Sequence, residues 1–315
     1  MRLITLITLM AFACTAFSAE APPGMNAASQ LRFGIGARAL GMGSAFTAIA
    51  AGPLGIYWNP AALARTDVVS FTGMYTEPFG GGIEGIGYSL QFLGLSGGFK
   101  DLGYGIGWFN SHVSDIPWTD GGGSFDYDSS IYFLSLALKE AKESVLVSVG
   151  GTLKVYRDSM LTGSALGFGF DLGVMVDLGN LLIAYCSQDV GRTKYRWQGT
   201  GQEPVVFVPW IHRIGIAFSL FEEMFRGAAD LAIDPEALLP LLWRLGLEFS
   251  PVEWLALRGG LRLDPFAESY HTVFTLGIGV SPWEKLSLDY AFLINPLPAE
   301  GLSTNTHVFS VTIEF

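Results

Sequence analysis

Between Ser164 and Leu178 large apolar residues recur at every second position: Leu166, Phe168, Phe170, Leu172, Val174, Val176 and Leu178. The residues between them, Ala165, Gly167, Gly169, Asp171, Gly173, Met175 and Asp177, are mostly small or acidic. A period of two puts the sets on opposite faces of a strand. One face suits lipid and the other suits a narrow lumen, which is the pattern of a strand in a membrane barrel.

The pattern repeats. Fourteen alternating segments are expected at about 68–76, 83–99, 102–113, 130–139, 144–156, 164–177, 180–189, 209–220, 224–233, 241–250, 254–263, 270–281, 285–294 and 306–315. Most have the nine to eleven or so residues that a tilted strand needs to cross the hydrocarbon. Connections after even-numbered strands are short (Lys100-Asp101, Leu178-Gly179, Pro251 to Glu253), and those after odd-numbered strands are mostly longer (Ser114 to Ser129, Val190 to Val208, Asn295 to Asn305). Short turns alternating with long loops are the asymmetry of an outer-membrane barrel with tight periplasmic turns. The fold class expected is therefore all-β, a 14-stranded antiparallel transmembrane barrel over residues 67–315. The last strand, Thr306 to Phe315, alternates and ends on an aromatic residue, as outer-membrane proteins read by the barrel-assembly machinery do. Trp108, Tyr132, Trp210, Trp243, Trp254, Tyr270 and Trp283 lie near strand ends and suit interfacial girdles.

What precedes the strands is different. Met1-Arg2, the apolar Leu3 to Phe17 and the small residues Ser18 and Ala19 read as a secretory signal peptide, residues 1–19. Without it Cys186 has no cysteine partner, so no disulfide framework is expected. Residues 20–66 form a second, mostly helical unit whose Gly34 to Arg65 stretch is Gly- and Ala-rich, broken by Pro53 and closed by Tyr57-Trp58-Asn59-Pro60-Ala61. Mean hydropathy is +0.39, and this stretch is too apolar to be left in water. Glycines at inward strand positions (Gly103, Gly105, Gly107, Gly150, Gly167, Gly169, Gly173, Gly277, Gly279) leave room inside the wall, so the stretch is expected in the lumen as a plug.

Charged residues fall on the inward face, where the lipid-facing alternative costs roughly 2–4 kcal/mol per Arg or Lys at the midplane. Arg244 and Glu248 share a face of the tenth strand, Arg258 and Arg262 one of the eleventh; Arg213, Arg226, Asp171, Asp177, Asp230 and Asp289 lie likewise. Two readings stand: a ladder of cross-strand ion pairs filling the barrel, or, through Arg213, Arg244, Glu248, Arg258 and Arg262, a site for an anionic head group. The net charge of −11 lacks the basic footprint that nucleic acid needs. The four histidines (His112, His212, His271, His307) lie apart, and no metal-ligand spacing, nucleophile elbow or phosphate loop is present. The reading is of a non-enzyme with no cofactor and no metal, whose partners are outer-membrane lipid and a hydrophobic small molecule.

Gly36-Ala37-Arg38-Ala39-Leu40-Gly41-Met42-Gly43 with Ala45-Phe46-Thr47-Ala48, followed by Tyr57-Trp58-Asn59-Pro60-Ala61, resembles the N-terminal signature of the PorV/PorQ and UPF0164 proteins, FadL-like outer-membrane barrels of the long-chain fatty acid transporter superfamily. The resemblance implies that Asn59, Pro60 and Ala61 form the core of a hatch that closes the lumen, with Trp58 beside it and Arg38, Gly41 and Gly43 anchoring it. It further implies passive transport of a fatty-acid-like ligand or, in the PorV-like branch, a platform for secreted protein cargo in type IX secretion. The chain departs from the pattern at Ala51-Gly52, where relatives carry an acidic pair, and at Ala62, where they often carry Gly.

Overall fold

The computed structural model describes residues 27–80, 85–118, 122–199, 201, 203–235, 237, 240–266, 269–296 and 304–315; the signal-peptide reading lies outside them. The described residues form sixteen strands: β1 (Ser70–Glu77), β2 (Gly87–Phe99), β3 (Leu102–Pro117), β4 (Ser124–Lys142), β5 (Val145–Met160), β6 (Gly163–Asp177), β7 (Leu181–Gln188), β8 (Lys194–Gln198), β9 (Val205–Phe207), β10 (Ile211–Leu220), β11 (Phe225–Ile233), β12 (Leu241–Val252), β13 (Leu255–Phe266), β14 (Ser269–Trp283), β15 (Leu286–Ile294) and β16 (Thr306–Glu314). Fourteen of them make a closed antiparallel barrel. β7 pairs directly with β10, and β1 pairs with β16 from Ser70↔Glu314 to Glu77↔His307, so the wall has no free edge.

The remaining two strands lie in the loop between β7 and β10. β8 adds to the upper end of β6 (Ala165↔Trp197) and β9 pairs with β8. Tyr195, Trp197 and Val206 are buried, so this hairpin folds inward. The sequence reading leaves 190–208 as plain loop, because runs of three and five residues are too short to carry a period. β4 also begins earlier than its expected start at 130. Ser124 to Ser129 is polar enough to read as loop, yet its backbone is satisfied by β3 and β5, which rise with it past a bulge at Val113/Ile116.

The two faces follow the alternation. Leu134, Leu136, Phe168, Phe170, Leu245, Leu247, Leu276 and Phe309 are exposed on the outside. Lys154, Asp171, Arg213, Asp230, Arg244, Glu248, Arg258 and Arg262 are buried inside. Trp254 and Trp283 stand exposed at the short-turn end and Trp243 and Tyr270 at the long-loop end, as girdles require. Trp210 does not join them: it is buried, and its Nε1 donates to Ser187 Oγ at 2.7 Å, because it belongs to the inward-folded loop rather than to the wall. Among the described residues no helix is long and apolar enough to cross a membrane. An apolar exterior around a buried polar interior fits an outer-membrane β-barrel.

The N-terminal segment lies within this wall as short pieces: α1 (Gln30–Phe33), α2 (Ala37–Gly41), a 3-10 turn at Gly52–Leu54, α3 (Gly55–Trp58) and a second 3-10 turn at Pro60–Arg65. Its glycines and prolines keep any helix from running on. α2 packs on β13 to β16, and the second 3-10 turn on β2 to β6. The contact is at backbone distance. A Cβ on Gly173 would lie 2.1 Å from Asn59 Oδ1, and one on Gly150 2.5 Å from the Pro60 carbonyl carbon. Gly43 is constrained twice, by φ +61° and because a Cβ there would come within 2.5 Å of the Leu245 oxygen. Inward Gly167 and Gly169 make the same allowance for Tyr195 and for Asp189 of the folded-in loop.

Gly173→Ala is accordingly expected to lower the temperature at which the compact form is lost in a heated SDS-gel assay, by an overpacking cost of about 1–3 kcal/mol. Gly259→Ala, whose Cβ meets nothing within 4 Å, leaves that temperature unchanged.

Candidate functional site: the lumen and its N-terminal segment

An irregular backbone inside a barrel leaves N–H and C=O groups that only inward side chains of the wall can satisfy. They do so at each turn. Ser310 Oγ accepts from Ala37 N at 2.8 Å, Thr275 Oγ1 accepts from Gly43 N at 2.9 Å and donates to Gly41 O at 3.0 Å. One oxygen of Asp230 accepts from both Phe46 N and Thr47 N, at 2.9 and 2.8 Å. Further along, Thr152 Oγ1 donates to Ile56 O at 3.2 Å and Gln188 Nε2 to Tyr57 O at 2.8 Å.

Asn59 reverses the direction, reaching from the segment to the wall. Its φ of −165° and ψ of 108° are the extended values expected before proline, although what precedes it is the helical turn α3 rather than an extended run. Its Oδ1 accepts from Ala61 N at 3.1 Å and caps the following 3-10 turn. Its Nδ2 lies 3.3 Å from the carbonyl oxygens of Thr47 and Val174 and 3.5 Å from that of Tyr185. Pro60 and Ala61 sit against Gly150. Trp58 is buried, donates from Nε1 to Ile35 O at 2.9 Å and packs edge-on against Tyr57 and Phe46.

The five residues Arg213, Arg244, Glu248, Arg258 and Arg262 separate into two layers. At the short-turn end Glu248 is the centre of a closed cluster. Arg38 binds it through Nε and Nη2 at 2.9 and 2.7 Å, Arg258 Nε at 2.6 Å and Arg226 Nη1 at 3.0 Å. Arg258 also reaches Asp289 at 2.6 Å. Register explains the cluster: Arg226, Glu248 and Arg258 are directly opposite one another on β11, β12 and β13. Burial works against the charge on Arg38, and the Glu248 carboxylate outweighs it, so its guanidinium is held above the ordinary range. A second link at this end joins Arg65 to Asp177 at 2.5 Å. A cavity of about 690 Å³ opens beside these groups.

Nearer the long loops, Arg213 Nε donates to Gln188 Oε1 at 2.9 Å while its guanidinium lies 5.2 Å from the Trp58 ring. Arg244 and Arg262 share Asp264, at 3.6 and 2.7 Å. The Arg262 contact is close enough for the charges but is angled off the line of a hydrogen bond. Lys154 is enclosed by Asp171 at 2.7 Å and Asp189 at 2.5 Å, and Tyr156 and Thr193 also donate to Asp189. Asp230, Ser310, Thr275 and Gln188 were not singled out in the sequence as contacts of the N-terminal segment; their only signal is a polar side chain at an inward position. Among the described residues no three His, Cys, Asp or Glu side chains converge as a metal site would require.

The class these features define is a closed fourteen-stranded barrel with an apolar exterior and an N-terminal segment held inside it by polar links. No protein-family model and no curated protein matches the sequence. Solved structures do. A monoaromatic hydrocarbon channel, CymD, superposes with a TM-score of 0.61 at 15% identity, over 90% of this chain and 98% of that one. The toluene transporter TodX of Pseudomonas putida gives 0.57 at 16% identity, over 89% and 97%. At such identity the likeness establishes the fold.

Glu248→Gln removes the carboxylate that three arginines share and is expected to cost about 3–5 kcal/mol, as breaking a buried ion pair does. Asp177→Asn, which breaks a half-exposed pair, should cost about 1 kcal/mol or less. Urea unfolding of the two variants in detergent micelles checks the order.

Proposed function

We propose that the protein is an outer-membrane channel of FadL-like type that passively passes hydrophobic, fatty-acid-like small molecules, with the N-terminal segment as its hatch. The observation that carries this reading is how that segment is held. Among the described residues it shares no strand pairing with the wall, and its links to the wall run through side chains, among them Asn59, Asp230, Thr275, Ser310 and the Arg38 to Glu248 pair. Such links break one by one, whereas a strand would have to be unzipped. In this role Asn59, Pro60 and Ala61 are the hatch core beside Trp58, and Arg38, Gly41 and Gly43 hold its other flank. The likeness in fold to CymD, a monoaromatic hydrocarbon channel, and to TodX, a toluene transporter, supports a hydrophobic cargo. Membership of the PorV/PorQ and UPF0164 group rests on the motif alone.

A second reading, a barrel that serves as a platform for secreted protein cargo, is favoured by how densely the lumen is filled, by the N-terminal segment and the β8–β9 hairpin together. It predicts co-purification with secreted proteins and loss of their surface display on deletion.

For the channel, cells that express the protein are expected to take up radiolabelled laurate or toluene several-fold faster than a deletion strain. Asn59→Ala, which removes the hatch's links to Val174 and Tyr185, should raise that rate further. Equal uptake with and without the protein, together with no amphiphile bound by the purified protein, overturns the channel reading.

A further inference from the structure

The charge clusters at the two ends of the lumen are not alike. Around Glu248 each arginine has carboxylate oxygens within 3.0 Å. In the layer above, Arg213 Nη1, Arg244 Nε and Nη1, and Arg262 Nη1 are buried with no hydrogen-bond acceptor among the described residues. These three residues are 5%, 3% and 4% exposed. The carboxylates nearby are mostly engaged: Asp234 with Arg32 at 2.9 Å, Asp189 with Lys154, Tyr156 and Thr193, and Asp230 through Oδ2 with the backbone of Phe46 and Thr47, its Oδ1 receiving no hydrogen bond from these arginines. Asp264 alone is shared between Arg244 and Arg262.

Beside this layer is a partly enclosed chamber of about 180 Å³. Arg213, Arg244 and Gln188 line it on the polar side together with Arg32, Asp234 and Asp189, the two carboxylates being held by Arg32 and by Lys154, and Leu31, Val208 and Leu242 contribute to its apolar lining. An apolar cavity of roughly 150 Å³ takes up benzene, so this one has room for a single ring and a small substituent, and a long acyl chain would not fit. A guanidinium presents its donors as a planar fork that matches a carboxylate. Gln188 keeps Arg213 in place from one side, and the Trp58 ring supports it from another.

We propose that this chamber binds a compact monocarboxylate of about benzoate size. Arg213 and Arg244 take its two oxygens after a small shift of their side chains, Arg262 adds charge from the opposite position on β13, and the ring lies against Leu31 and Leu242. The proposal rests on the channel reading, because the ligand must first enter the lumen. It adds to the hydrophobic cargo of that reading a site for a ligand that carries a negative charge and a short apolar body.

Calorimetric titration of the full-length protein in detergent with benzoate, benzamide, toluene and laurate tests it. Benzoate is expected to bind at least tenfold more tightly than its neutral isostere benzamide, and laurate more weakly than benzoate. Arg213→Gln and Arg244→Gln should each weaken benzoate at least tenfold and leave toluene unchanged. If either fails the heated-gel test for folding, Arg244→Lys, which keeps the charge and loses the fork, is expected to weaken benzoate by a smaller factor. Equal affinity for benzoate and benzamide, or benzoate binding indifferent to Arg244→Lys and to both Gln variants, means a chamber filled by solvent only and overturns the proposal. Toluene uptake by expressing cells separates the two failures. If it persists while benzoate does not bind, the carboxylate site falls and the channel stands; if neither compound is bound or taken up, the channel reading falls and the site with it.

Discussion

Everything inside this barrel depends on one requirement: a stretch of non-repetitive backbone has been put where water cannot reach all of its polar groups, and the wall must supply what water would have supplied. A strand could meet the requirement by pairing, but pairing would make the segment part of the wall. Single inward side chains meet it instead, with Ser310, Thr275, Asp230, Thr152 and Gln188 each serving one or two backbone groups. Because an unsatisfied buried group costs about 1–3 kcal/mol, these residues fix the position of the segment in a way that apolar packing, which has no direction, does not. Glycine is the complement of this arrangement. Where the wall needs no hydrogen-bonding side chain, Gly150, Gly246 and Gly260 let the two backbones touch, and Gly173 makes room for the Asn59 amide and the Pro60 ring.

The same economy organises the charges. A barrel interior occupied by its own chain has little water with which to solvate an ion, so an arginine there either finds a carboxylate or remains unsatisfied. Glu248 resolves three arginines at once because β11, β12 and β13 bring them into line and Arg38 arrives from the segment. The upper layer has more guanidinium donors than its carboxylates accept. That imbalance, rather than the mere presence of arginine, is what distinguishes a structural ladder from a place for an anion.

Most of the wall was legible in the sequence because a two-sided strand in lipid leaves an uninterrupted period, and thirteen of the fourteen segments begin within four residues of the strands observed. The exceptions share a cause. Ser124 to Ser129 stands above the hydrocarbon, where outward residues are no longer forced to be apolar, and β8 and β9 are too short to repeat anything. Trp210 was read as an interfacial aromatic because its position near a strand end says nothing about which way the loop before it turns. In the lumen, Asn59, Pro60 and Arg38 were visible as a motif and Glu248 as an inward acid. That Arg38 meets Glu248, 210 residues away, depends on the stagger accumulated over the ten wall strands up to β12, which no local pattern encodes.

The seam between β1 and β16 ties the inside of the barrel to its closure. Ser310 on β16 accepts from Ala37 N of the N-terminal segment, and the same strand pairs with β1 from Ser70↔Glu314 to Glu77↔His307. One strand is thus both the clasp of the wall and a peg for the segment, so that any displacement of α2 bears on the strand that closes the cylinder.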